Sequence, residues 1–170
     1  ISVFAIDVDG DGDADVLSAS GNDNTIAWYE NTDGVGGSWT TRVISTAANH
    51  IVCVFAVDLD GDGDVDALSA DLGFWAGTYY YASTIAWYEN VDGAGGSWTK
   101  HDISTIPDYP RALFAIDIDG DGDNDALLAS WNDDIIAWYE NVDGAGQSWT
   151  YHEICTTAVG AYSAGLFAID

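Results

Sequence analysis

Phe4-Ala5-Ile6-Asp7-Val8-Asp9-Gly10-Asp11-Gly12-Asp13-Ala14-Asp15 is the stretch on which the fold turns. Its first residues are apolar and strand-like. The rest sets five carboxylates into nine residues, spaced by Gly, Val and Ala. Unneutralised charge at that density repels itself strongly, so the loop asks for a cation. The stretch returns at residues 55–66 and 114–125, and Phe167-Ala168-Ile169-Asp170 begins it a fourth time. Its first Asp falls at positions 7, 58, 117 and 170, giving spacings of 51, 59 and 53 residues.

Two further motifs travel with it. Ile-Ala-Trp-Tyr-Glu-Asn starts at Ile26, Ile85 and Ile136, and Ser-Trp-Thr starts at Ser38, Ser97 and Ser148. Self-similarity at such a period marks a repeat architecture. Each copy reads as four short strands. In the first, strand A covers 2–6, B 16–19, C 25–31 and D 38–44, with the Asp loop between A and B. Strands A and C are apolar on both faces (Phe4 beside Ala5, Trp28 beside Tyr29), so both faces need cover. A four-stranded sheet of about 50 residues that needs sheets on both sides is a propeller blade. The expected fold is therefore all-β: three four-stranded antiparallel blades over residues 1–50, 51–109 and 110–162, and the first strand of a fourth over 163–170. Three blades cannot close a ring, so an open segment of a larger or oligomeric propeller is expected, completed by further blades or other chains.

Competing calcium folds fit less well. A nonapeptide β-roll repeats its motif every turn rather than every 50 or so residues. An EF-hand needs flanking helices and a Glu at loop position 12, where this chain has Ser18, Ser69 and Leu128. Cysteine-stapled repeats need cysteines. Only Cys53 and Cys155 are present, at non-equivalent places, and both are expected as free, buried small hydrophobes.

The charge supports a cation. Of the 29 acidic residues 25 are Asp, and 15 of these lie in the three loops, whereas a generally acidic surface would spread its charge and use Glu. A net charge of −26 with only Arg42, Lys100 and Arg111 as strong bases excludes nucleic acid as a partner. The longest apolar run, Ile51–Val57, is too short to span a bilayer, so no direct membrane insertion is expected.

With these motifs the chain resembles the FG-GAP/VCBS repeat of integrin-α-like β-propellers over essentially its whole length. The resemblance implies closed rings, commonly of seven blades, with calcium in each loop between strands A and B. Ca²⁺ takes six to eight oxygens in a flexible cage, while Mg²⁺ keeps its waters and disfavours an all-protein site. About three Ca²⁺ are expected, one per loop. In the first loop Asp7, Asp9 and Asp11 would supply carboxylates, Asp15 would close the site, and the resemblance gives Asp13 a backbone-carbonyl role. The same positions elsewhere are Asp58, Asp60, Asp62, Asp64 and Asp66, then Asp117, Asp119, Asp121, Asp123 and Asp125. A purely structural metal, holding strand A to strand B, is favoured over one with a further role.

In a four-stranded blade the AB and CD loops leave on one face, and the BC and DA loops on the other. The residues that break the repeat gather on the second face. An eight-residue insertion falls within 71–81 and carries Phe74 and Trp75; the third copy has Trp131 in its BC turn; the DA connections hold His50, Tyr109, Arg111 and Tyr162. Aromatic platforms beside polar edges suit carbohydrate or protein, and Phe74, Trp75, Tyr109, Arg111 and Trp131 are the candidate ligand contacts. Trp28, Trp87 and Trp138, with Trp39, Trp98 and Trp149, recur at fixed strand positions and are expected in packing. No catalytic constellation is present: there is no G-x-S-x-G or H-E-x-x-H, and the pairs His101-Asp102 and His152-Glu153 align with Arg42-Val43. Both His are expected as surface strand residues. The sequence thus leads to an extracellular or cell-surface binding or adhesion module without enzyme activity. The alternatives are blades of a self-assembling sheath or filament, or an accessory propeller of a polysaccharide lyase or hydrolase.

Overall fold

A computed structural model describes residues 2–75, 77 and 80–159. Fourteen strands run in chain order: β1 Ser2–Ile6, β2 Asp15–Ser20, β3 Thr25–Asn31, β4 Trp39–Ser45, β5 Ile51–Val57, β6 Asp66–Asp71, β7 Phe74–Trp75, β8 Tyr80–Tyr81, β9 Thr84–Asn90, β10 Trp98–Ser104, β11 Pro110–Ile116, β12 Asp125–Ser130, β13 Ile135–Asn141 and β14 Trp149–Cys155. Twelve of them form three four-stranded antiparallel sheets in simple up-and-down order, β1-β2-β3-β4, β5-β6-β9-β10 and β11-β12-β13-β14, and β7 and β8 form a two-stranded sheet of their own. The expected all-β fold of propeller-like blades is what the chain adopts, and the three blades do not close a ring. The strand beginning a fourth repeat, with Tyr162, lies outside the described residues.

The blades stack face to face. Leu17, Ile26 and Trp28 of the first meet Ile51, Val54, Ala56 and Tyr88 of the second, and Leu68, Ile85 and Trp87 of the second meet Leu113, Ala115 and Leu128 of the third. Burying each such aliphatic side chain contributes about 1.5–3 kcal/mol. The innermost strands β1, β5 and β11 lie side by side, and their Phe rings form a ladder: Phe4 to Phe55 at 4.5 Å, Phe55 to Phe114 at 4.7 Å.

Indole hydrogen bonds tie each blade to the next. The Trp28 indole N–H donates to the Gly95 carbonyl at 3.2 Å, and Trp87 donates to Gly146 at 3.1 Å. Gly95 and Gly146 turn with φ of 65° and 64°, and a Cβ on either would sit within about 2.6 Å of the indole ring. Only glycine allows this approach.

Several expectations need correcting. Not every blade face is covered: Val3 of β1 is 65% exposed, while its equivalents Val54 and Leu113 are 5% and 7% exposed against the preceding blade. The insertion carries strands of its own, since β7 and β8 pair as a two-stranded hairpin between β6 and β9. Cys53 is free and buried as expected, but Cys155 is half-exposed because β14 is the outermost strand of its sheet. His101 and His152 are not simply surface residues. Each lies opposite a strand-C tryptophan, stacks on it (4.5 Å to Trp87, 4.4 Å to Trp138) and meets the neighbouring glutamate, Glu89 or Glu140. Arg42 does the same with Trp28 and Glu30 in the first blade.

Candidate metal centre

Each AB loop is wound round its first Asp. Asp7 accepts the N–H of Gly10 and of Gly12, both at 2.9 Å, and Asp58 and Asp117 repeat the pair with Gly61 and Gly63 and with Gly120 and Gly122. These bonds curl the loop, and Gly12, Gly63 and Gly122 carry the positive φ the curl requires. Asp11, Asp62 and Asp121 accept the N–H two residues on, closing a second small turn.

The last Asp of each loop is a buried strut. Asp15 accepts from the Val8 N–H at 3.0 Å and the Asn31 N–H at 2.8 Å, so one carboxylate joins the loop entry to the end of β3. Asp66 does this with Leu59 and Asn90, and Asp125 with Ile118 and Asn141.

Among the described residues three groups of carboxylates converge, each with ligand atoms within 4.8 Å of one another: Asp7, Asp9 and Asp15; Asp58, Asp60 and Asp62; Asp117, Asp119 and Asp125. Asp11, Asp66 and Asp121 are on the same loops but outside those groups. The carboxylates of Asp13, Asp64 and Asp123 turn instead onto the CD hairpin, where a Cβ on Gly34, Gly93 or Gly144 would collide with them. Each AB loop therefore rests on the hairpin of its own blade, and both leave on one face.

Burial pushes the carboxyls of Asp9, Asp60 and Asp125 upward, and neighbouring carboxylates add to it. Asp66 is pushed up to about 7, chiefly by burial, against hydrogen bonds from Asn90 and Leu59 that lower it. Oxygen-only donors, converging and costly to ionise together, fit a hard divalent cation, which would relieve the repulsion.

The opposite face differs from blade to blade. In the first, the Asn24 side chain accepts the His50 N–H at 2.9 Å. In the second, buried Asp71 accepts from Gly73, Thr84 and Asn49 and fastens the base of the β7–β8 hairpin to the DA connection. Phe74 is exposed there; the side chain of Trp75, with residues 76, 78 and 79, lies outside the described residues. In the third blade the candidates converge. Tyr109 meets Trp131 edge-on at 5.6 Å, and the Arg111 guanidinium lies 5.4 Å from the Trp131 ring centre. The Trp131 N–H donates to the Tyr109 carbonyl at 2.9 Å, and the Asn132 amide donates to the Asp108 carboxylate at 2.5 Å. The sequence named the aromatics but missed Asp71 and Asp108. For Asp71 the available signal was an Asp at a strand end beside a BC turn, able to cap loop N–H groups.

Residues 7–69 match the family model of the FG-GAP-like repeat. Repeats of this kind are typically binding or structural modules and often bind calcium. No curated protein matches the chain.

Proposed function

We propose that these blades are a calcium-stabilised propeller module that works outside the cell or on its surface, binding carbohydrate through the face opposite the metal loops. The observation that carries the calcium part is the threefold gathering of carboxylates within 4.8 Å on loops of one register. The first Asp of each loop accepts backbone N–H groups and the last joins two strands, so Ca²⁺ would hold strand A to strand B in every blade. Loops of this type in extracellular modules fill at roughly 10⁻⁴–10⁻³ M calcium, which favours placement outside the cell.

Carbohydrate is supported by the third blade. Trp131 and Tyr109 offer aromatic surface for a sugar ring, and Asn132, Asp108 and Arg111 offer polar edges for its hydroxyls. A glycan array probed with calcium-loaded protein, beside a chelator-treated sample, tests this. Selective binding that is lost in Trp131→Ala supports the reading. A blank array with intact calcium binding sinks the carbohydrate part and turns attention to a protein ligand.

A second reading, assembly with further blades or other chains, is favoured by one observation. Val3 and Trp39 are exposed on the first blade, at 65% and 46%, where their equivalents Val54 and Leu113 are buried and Trp98 and Trp149 half-buried. Sedimentation at rising concentration tests it: a mass that never exceeds the monomer counts against it.

A further inference from the structure

The two asparagines that end β9 and β13 each touch two metal loops. Asn90 donates its backbone N–H to Asp66, the last carboxylate of the second loop, at 2.9 Å. Its side-chain amide reaches the Val8 carbonyl in the first loop at 3.2 Å and the Val65 carbonyl in its own at 3.3 Å. Asn141 does the same one blade on, to Asp125 at 2.9 Å, to Leu59 in the second loop at 2.9 Å and to Asn124 at 3.4 Å. Val8 and Leu59 each follow the first metal-loop Asp directly, so a shift there is a shift of the ligand.

The amide oxygens complete the brace. Asn90 accepts the Gly95 N–H at 2.9 Å, and Asn141 accepts that of Gly146, the glycines whose carbonyls take the indole N–H groups of Trp28 and Trp87. Asn31, at the same place in the first blade, donates its side-chain amide to Ala14 of its own loop and accepts from Gly36.

The loops are graded accordingly. The second receives two bonds from the following blade, because Asn124 also donates to the Asp58 carbonyl at 2.8 Å. The first receives one. The third receives none among the described residues, and Ile118 is 37% exposed where Val8 and Leu59 are 2% and 1% exposed.

We infer that Asn90 and Asn141 are positioning residues that couple the metal loops in series, so that filling one loop raises the affinity of its neighbour. The inference rests on the calcium reading above. Asp58 belongs to the converging carboxylates of the second loop, and Leu59 beside it donates to Asp66, which also holds the Asn90 N–H, so a shift of Asp58 reaches the end of β9 and the Asn90 side chain carries it to Val8 and Asp7. Coupling of this kind needs two sites biasing one shared element, and the asparagine is that element.

The test is a calcium titration of the chelator-stripped chain. It is followed by calorimetry and by the amide NMR signals of Gly12, Gly63 and Gly122, which report the three loops separately. Asp58→Asn, which cripples the second loop, should weaken filling at Gly12 and Gly122 by roughly tenfold, in the usual range for allosteric coupling. Asn90→Asp keeps the acceptor for Gly95 but loses the donor to Val8. It should uncouple Gly12 from Gly63 while Gly122 still follows the second loop. Asn31→Asp makes the same charge change without an inter-blade bond and should leave the coupling intact. Unmoved midpoints at Gly12 and Gly122 in Asp58→Asn, or identical behaviour of Asn90→Asp and Asn31→Asp, would overturn the inference. Should Asn90→Asp fail to fold, Asp58→Asn still decides. A wild-type chain that takes up no calcium at millimolar concentration sinks the calcium reading itself, a result distinct from three loops filling independently.

Discussion

The two faces of these blades are built on different rules. On the face of the Asp loops the three copies repeat bond for bond: Gly10 to Asp7, Gly61 to Asp58, Gly120 to Asp117, each between 2.7 and 2.9 Å. On the other face the second and third blades share only a pair of backbone bonds, from Leu72 and Gly73 to His50 and Asn49 and from Trp131 and Asn132 to Tyr109 and Asp108, and the side chains differ in every blade. The first has a short turn held by Asn24, the second an inserted hairpin held by Asp71, the third an aromatic cluster with Arg111 above Trp131. Contacts that recur in every blade serve what every blade must do, which is to hold its strands and stack. Contacts that occur once serve something needed once, and variable loops on a rigid scaffold are where recognition resides.

Removing calcium should strike the repeating face hardest. At calcium a hundredfold above Kd each site adds about 2.7 kcal/mol, so three sites add roughly 8 kcal/mol. For a chain of this size, chelation is expected to lower Tm by roughly 15–30 °C, read by a thermal melt with and without EGTA. An unchanged melt would break the comparison, because the repeated loops would then carry no more stability than the variable ones.

Two tryptophans sharpen it. Trp28 is fully buried between blades, and Trp28→Ala should cost about 3–5 kcal/mol by denaturant unfolding. Trp131 is half-buried beside Arg111, and Trp131→Ala should cost only about 1 kcal/mol, near the worth of its cation–π contact. On the carbohydrate reading proposed above, selective binding on a glycan array should be lost all the same. Equal stability losses would mean that Trp131 is packing and not platform.

A finer contrast lies within the repeating face. Gly36 and Gly95 are equivalent and both turn left-handed, with φ of 75° and 65°. A Cβ on Gly36 would meet Trp39 at an ordinary 3.7 Å, whereas on Gly95 it would strike Trp28 at 2.5 Å. Gly36→Ala should therefore cost about 1–2 kcal/mol for backbone strain alone. Gly95→Ala should cost about 1–3 kcal/mol more for overpacking the buried indole. Equal costs would show that the blades slip past one another at little expense.

Much of this was legible in the sequence, for a physical reason. Strands β1, β3 and β5 and the Asp loops are local: alternation, turn residues and charge density fix them within about a dozen positions. The partners of Trp28 and Asn90 were not legible, because Gly95 lies 67 residues from Trp28, and Val8 lies 82 from Asn90. Neither distance leaves a period in the chain. Asp15, Asp66 and Asp125 read as ligands, and their second task as buried struts needed the strand ends in place. The shared place of Arg42, His101 and His152 was within reach. Comparing adjacent pairs aligned the three positions, and counting back from the hairpin also puts each residue opposite a strand-C tryptophan.

The smallest effect concerns the two thiols, and it separates interior from rim rather than face from face. Cys53 lies in the core between the second and third blades, and burial pushes its thiol up to about 12. At pH 8 only about one Cys53 in ten thousand would be thiolate, the form that reacts. Cys155, at the end of β14, has its thiol lowered by the backbone N–H of Thr157 at 3.5 Å. Iodoacetamide at pH 8 should therefore label Cys155 and spare Cys53 in the calcium-loaded chain, as read by peptide mass spectrometry, with little change in Tm. Chelation should open Cys53 to the reagent if the blades part when the loops are emptied. The sign with pH follows from the raised value: the unfolded chain releases this proton near pH 9 and the folded chain only near 12, so Cys53 costs stability as pH rises between them. Labelling of Cys53 at the rate of Cys155 in the loaded chain would mean that the second and third blades do not stay stacked, and with them would go the inter-blade brace through Asn141.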